Sequence, residues 1–208
     1  MTTDTVVLVH GIWVRGYIMR HLAESLQQAG FQTTIYSYPS TRYSLKQQSH
    51  YLADFLVQQN IEQAHFVAHS MGGLVLRHLA DHQPERIDTT VTVASPHQGS
   101  LVATSIRKKH LGWLLGKSYE QGLDGCLPDW PAEKPLGSLA GDQSMGLGRL
   151  FAKFPLANDG SVGVEETCLP AMREHRVLHH SHTGILYADD TACEIAHFLR
   201  YRCFSRST

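Results

Sequence analysis

No stretch of the chain restricts its fold as tightly as Ala64-His65-Phe66-Val67-Ala68-His69-Ser70-Met71-Gly72-Gly73. A β-like run, Ala64 to Ala68, enters it, and an apolar run of helical pattern, Leu74 to Ala80, leaves it. Between the two stands a serine flanked by small residues, in the pattern G-x-S-x-G with Ala68 in place of the first glycine. A strand that reverses into a helix within two residues makes a strained, crowded turn that only small neighbours tolerate. Such a turn lifts the serine hydroxyl above the sheet edge. It also aims the free N–H groups of the helix N-terminus at whatever negative charge develops there.

The rest of the pattern supplies a sheet for that turn. Thr5 to His10 is a continuous apolar run that suits a strand buried on both faces, stopped by Gly11. Ile18, Leu22, Leu26 and Ala29 recur at helical spacing and Gly30 closes that helix. Phe31 to Tyr38 reads as a strand, Leu45 to about Gln59 as a helix, and the helix after Ser70 should end near Gln83, because Pro84 follows. Thr89 to Ala94 is a further strand, Leu136 to Ala140 a weaker one, and His175 to His179 the last, before a helix marked by Ala192, Ile195, Ala196 and Leu199. Strands that alternate with helices predict an α/β fold with a mostly parallel, six-stranded sheet and helices on both faces. At 208 residues we read one domain, 1–208. Residues 99–135 break the pattern with Trp113, Leu114, Leu115 and Trp130 among Gly and Pro. They read either as a long surface connection with a small core of its own or as a short cap or lid over the site.

Composition excludes some function classes. The net charge of −1 gives no electrostatic footprint for nucleic acid. No apolar run approaches membrane-spanning length, and no basic segment followed by an apolar one opens the chain. The four cysteines form no CxxC pair. A cytoplasmic protein with reduced thiols is the expectation.

A serine hydroxyl needs a base to take its proton and a third group to orient that base. Beyond Ser70 the chain offers both. Asp159 sits in the turn Asn158-Asp159-Gly160, with Asp142 as the competing acid at another strand end. His182 lies in Ser181-His182-Thr183-Gly184, after the last strand. Both positions fall where loops leave the carboxyl ends of parallel strands. His179, His180 and His182 could alternatively face a metal, but no further ligand is spaced to complete a zinc set, and no metal or cofactor is expected. The backbone N–H groups of Met71 and Ile12 are the expected donors to an oxyanion, with their side chains walling an acyl pocket.

These pieces together resemble the bacterial lipase and carboxylesterase branch of the α/β-hydrolase superfamily. The matching segments are Val7 to Ile12, His69 to Gly73, Ala94-Ser95-Pro96-His97-Gln98-Gly99-Ser100, Asn158-Asp159-Gly160, and His182 with Ile185-Leu186. The resemblance implies a cofactor-independent serine esterase, with Ser70 as nucleophile, His182 as base and Asp159 as acid. Its substrate would be a small-molecule or lipid ester of short to medium acyl length. His10, Gly11, Trp13, His69 and His97 are the expected substrate-contacting residues. Against the family pattern, the sequence opens almost at the strand that carries His10-Gly11, so a sheet without the family's two leading strands and a short cap are expected. Thioesterase or amidase chemistry, and deacylation of a lipid or glycolipid, would use the same three residues. A catalytically silent binding protein is the alternative of a different class. The resemblance says nothing of oligomeric state.

Overall fold

The computed structural model describes residues 4–205. Six strands form one sheet in the order β2-β1-β3-β4-β5-β6, and every pairing is parallel. They are β1 (Thr5–Val9), β2 (Gln32–Tyr36), β3 (Ala64–His69), β4 (Ile87–Val93), β5 (Leu136–Gly141) and β6 (Glu174–Leu178). The five α-helices are α1 (Arg20–Gln28), α2 (Leu45–Gln58), α3 (Met71–His82), α4 (Leu101–Lys108) and α5 (Asp189–Tyr201). The sheet is thus wholly parallel.

The side-chain alternation of a strand explains the two-sided core. Val7 and Val9 of β1, with Ala64, Phe66 and Ala68 of β3, face α2, α3 and α4. Val6, Leu8 and Val67 face the other way, toward α1 and α5. With both faces covered, β1 is apolar from Val6 to Val9, and β3 is apolar apart from His65 and His69, which are themselves buried. β1 lies one strand in from the edge; the chain steps out from it to β2, then returns past β1 to β3. That reversal opens a crevice between the carboxyl ends of β1 and β3, the usual ligand edge of such sheets. Gly11 follows one strand and Ser70 the other.

Two glycines seal the crevice floor. A Cβ on Gly72 would stand 2.5 Å from the Val9 carbonyl oxygen, and one on Gly73 would overlap the Ser95 hydroxyl. α3 starts at Met71, directly after the turn, and the two glycines let its first turn pack this close to β1 and to Ser95.

Residues 101–123 fold as α4, a 3₁₀ segment (Gly112–Ser118) and a π-type turn (Tyr119–Leu123), and they bury Ile106, Leu115 and Leu123 in the main core. Among the described residues, no helix is long and apolar enough to cross a membrane.

Candidate active site

Ser70 sits at φ 53° and ψ −127°, a conformation that non-glycine residues rarely adopt. Its backbone N–H is held by the Val93 carbonyl of β4 at 2.8 Å, so the strain is carried by the sheet and not by the side chain. Gly11 leaves the hydroxyl room: a Cβ there would lie 2.9 Å from Ser70 Cβ. The hydroxyl stands 3.1 Å from His182 Nε2, and His182 Nδ1 stands 2.7 Å from Asp159 Oδ2. A carboxylate only accepts, so the imidazole proton belongs on Nδ1 and Nε2 is free to accept from the serine.

The Asn158–Gly160 turn aims the carboxyl group. Asn158 Oδ1 accepts from the Gly160 N–H, and Gly160 takes the positive φ of 94° that the turn requires. Asp159 Oδ1 accepts from the N–H groups of Ser161 and Val162 at 2.8 and 2.7 Å, which leaves Oδ2 for the imidazole. The His182 N–H donates to the Asp159 carbonyl at 2.9 Å, so the two loops are tied at the backbone as well. Asp142, the competing acid, instead pairs with the exposed ring of His179. His180 pairs with Asp190. The three neighbouring histidines thus turn to three different aspartates, and among the described residues no cluster of three metal-capable side chains forms.

His69 braces His182 from the strand side. Its Nε2 donates to the His182 carbonyl at 2.9 Å, and the two rings lie 4.7 Å apart. Burial, reinforced by the neighbouring His182, pushes the His69 pKa down to about 3, so this ring stays neutral beside the base.

The backbone N–H groups of Ile12 and Met71 have no hydrogen-bond acceptor among the described residues. Met71 is the first residue of α3, where a free N–H is inherent to the helix end.

Ser70 and His182 open into a cavity of about 560 Å³. Gly11, Ile12, Trp13 and His69 line it as expected. Three expectations are corrected. His10 is fully buried outside the lining: its ring stacks on Tyr38 at 4.4 Å and accepts the Tyr38 N–H, while the Tyr38 hydroxyl donates to the His10 carbonyl. Its chemistry is that of a strand-end clamp. His97 is likewise buried, bonded through Nε2 to the Thr92 hydroxyl at 3.0 Å, and burial holds its pKa at about 3. The Met71 side chain packs into the core rather than into the cavity.

The structure adds lining residues that sequence reasoning missed. Val102, Ala103 and Ile106 of α4, with Leu115 and Leu123 beyond it, form an apolar wall. Met145, Gly146, Gly148 and Phe151, from the loop after β5, form the opposite lip. Glu166 joins the two sides, accepting from the Leu101 N–H at the start of α4 and from the Gly163 N–H beside the acid turn. Its burial pushes the carboxyl pKa up.

Buried neutral histidines give the protein an acid-sensitive fold. His69 and His97 bind protons only near pH 3 when folded, but near the ordinary value of about 6.5 when unfolded. Their contribution is complete above about pH 6.5 and is lost as pH falls below it, because the unfolded chain then binds the extra protons. Each ring can cost up to about 1.4 kcal/mol per pH unit in that window. Thermal melts should show a midpoint that is flat above about pH 6.5 and falls steadily below. A midpoint unchanged down to about pH 4.5 would contradict the buried neutral state.

Comparison with known proteins bears on the family. A pimeloyl-(acyl-carrier protein) methyl ester esterase of Vibrio campbellii is 34% identical over 92 residues, 43% of this chain and 36% of that protein. A lysosomal thioesterase, PPT2 of Bos taurus, is 27% identical over 138 residues, 62% of this chain and 44% of that one. In both cases the match spans less than half of the relative's length. Among solved structures, a Bacillus licheniformis lipase in mature form superposes with a TM-score of 0.75 at 16% identity, covering 98% of this chain and 93% of that one. A carboxylesterase from the thaumarchaeon Nitrososphaera gargenis gives 0.65 at 15%, covering 95% and 90%. At those identities the likeness is one of fold. The profile of the α/β-hydrolase fold matches residues 4–134, well over half of the chain, and the protein belongs to that family.

Proposed function

We propose that the chain is a serine hydrolase of carboxylic esters. The observation that carries this reading is the continuous line from Ser70 Oγ through His182 to Asp159, at 3.1 and 2.7 Å, opening on an apolar cavity. Ser70 Oγ attacks the ester carbonyl while His182 Nε2 takes its proton. The negative charge on the former carbonyl oxygen is met by the N–H groups of Ile12 and Met71. Collapse expels the alcohol, which takes the proton from His182, and leaves Ser70 acylated. Water then attacks the acyl group, again deprotonated by His182, and the acid departs with Ser70 restored. Asp159 holds the imidazole in its reactive tautomer and stabilises the imidazolium of each step. Residues 101–123 act as a short cap, its Ile106, Leu115 and Leu123 forming the acyl wall.

The cavity must hold both halves of the ester, and this favours modest acyl chains. Each methylene that stays in the pocket contributes roughly 0.8 kcal/mol, and those that overrun it contribute nothing. On soluble p-nitrophenyl esters, kcat/KM should rise from acetate to a short or medium chain and decline toward palmitate. A palmitate ester turned over faster than butyrate would contradict the short cap. Thioesters are the second reading, supported by the relative named as a thioesterase. Acyl-CoA thioesters run beside the ester panel decide between them. A folded protein that turns over neither class, while ignoring fluorophosphonates, would overturn the hydrolase reading.

A further inference from the structure

The two lips of the cavity share an unusual composition. The whole chain holds 18 Lys and Arg against 19 Asp and Glu. Residues 101–118 and 143–157 together carry Arg107, Lys108, Lys109, Lys117, Arg149 and Lys153, and contain no acidic residue at all. All six cations are exposed, and among the described residues none forms a salt bridge. The same two segments supply both sides of the cavity that contains Ser70. They are in contact: Lys109 Nζ donates to the Phe151 carbonyl at 3.1 Å and lies 6.0 Å over its ring. On the far side, Trp13 Nε1 donates to the Leu114 carbonyl at 2.8 Å.

Between the charges stand large apolar side chains turned to solvent. Trp113 is 74% and Leu150 72% exposed, and Met145, Leu156 and Trp13 are more than half exposed. Burying these groups in their own core would have been favourable, so leaving them around one opening needs a reason. A lone exposed leucine would not. Here Trp13 and Met145 line the cavity itself, Trp113, Leu150 and Leu156 belong to or flank the segments that frame it, and the six cations lie on the same two segments, Arg107 and Lys117 lining a separate hollow beside Glu120.

We infer that this rim docks the protein on an anionic lipid surface, with the mouth of the Ser70 cavity facing the lipid. Lys and Arg near an anionic headgroup layer are attracted by its surface potential, and their aliphatic stems can lie along the apolar boundary while the charges stay among the headgroups. Tryptophan is suited to that boundary, having an apolar body and one polar N–H. An acidic protein would answer the charges but not the solvent-facing Trp113 and Leu150. A layer that these side chains can enter answers both. Esters partitioned into the surface would then meet the cavity without crossing water.

Co-sedimentation with vesicles tests the docking. The parent chain and the Ser70→Ala chain should both bind phosphatidylcholine vesicles that contain phosphatidylglycerol. Neither should bind phosphatidylcholine alone. Rising salt should release them, and tryptophan emission should shift to the blue on binding. The variant K108E/K117E/K153E should partition at least about tenfold more weakly, and Trp113→Ser should lose part of the blue shift. Both variants should hydrolyse soluble p-nitrophenyl butyrate at the parent rate. Equal binding to neutral and anionic vesicles, or no binding to either, overturns the inference. Capture by polyglutamate without capture by vesicles also overturns it and assigns the rim to an acidic protein partner. Because the Ser70→Ala chain is read in the same assay, failure of the docking and failure of the hydrolase reading are told apart.

Discussion

Ser70→Ala is expected to remove turnover almost completely, on the order of 10⁶-fold in kcat where the serine is the nucleophile of a Ser-His-Asp set. The fold should be little affected. The side chain of Ser70 makes one recorded bond, to His182 Nε2, whereas the strained backbone is held by the Val93 carbonyl and by α3. Removing that hydroxyl should cost about 1 kcal/mol or less. A thermal midpoint near the parent's, together with lost turnover, is the predicted pair of results. A Ser70→Ala protein that retained a substantial fraction of its activity would place the nucleophile elsewhere.

The second large effect belongs to the acid. In Asp159→Asn the amide oxygen stays on the Ser161 and Val162 N–H groups, so an N–H faces His182 Nδ1, and the imidazole then favours the tautomer that cannot accept from Ser70. Serine-protease precedent puts that loss at about 10⁴-fold in kcat. Asp159 is also buried and accepts two backbone N–H groups at 2.8 and 2.7 Å, so the same change should lower the unfolding midpoint. Asp142→Asn should be mild on both counts. Its partner His179 has a side chain 80% exposed, and such surface pairs contribute about 0–1 kcal/mol. If Asp142→Asn were the crippling change and Asp159→Asn the mild one, in folded proteins, the roles would be exchanged.

What was legible in the sequence was set by local rules. The sheet is covered on both sides, so β1 announces itself as an unbroken apolar run and β3 as one broken only by His65 and His69. Asn158-Asp159-Gly160 announces a turn, and chain order then pairs it with His182. The need for a glycine at both positions 72 and 73 was less legible than the start of α3 itself. Both read as small neighbours of the turn, but the Val9 carbonyl and the Ser95 hydroxyl, which leave no space for a Cβ at either position, come from distant segments. Tertiary crowding overrode local propensity there.

The histidines were the hardest to read. An imidazole serves equally as a base, a substrate contact or a buried strut, and the sequence does not show which environment it will meet. His10 becomes a strut because Tyr38, 28 residues away, stacks on it and bonds it twice. His97 becomes one because it folds back five residues onto Thr92. The second lip, 143–157, escaped notice because its position beside α4 is a long-range contact. Its one sequence signal, a stretch with Arg149 and Lys153 but no acid, acquires meaning only when paired with the equally acid-free 101–118.

The central claim is that one hydroxyl, at Ser70, is made nucleophilic by His182. Labelling with a fluorophosphonate followed by peptide mapping tests it most directly. The account predicts a single covalent adduct on the peptide containing Ser70, formed rapidly in the parent, absent in Ser70→Ala and strongly slowed in His182→Ala. An adduct on any other serine of the native protein, or equal labelling of parent and Ser70→Ala, would contradict it.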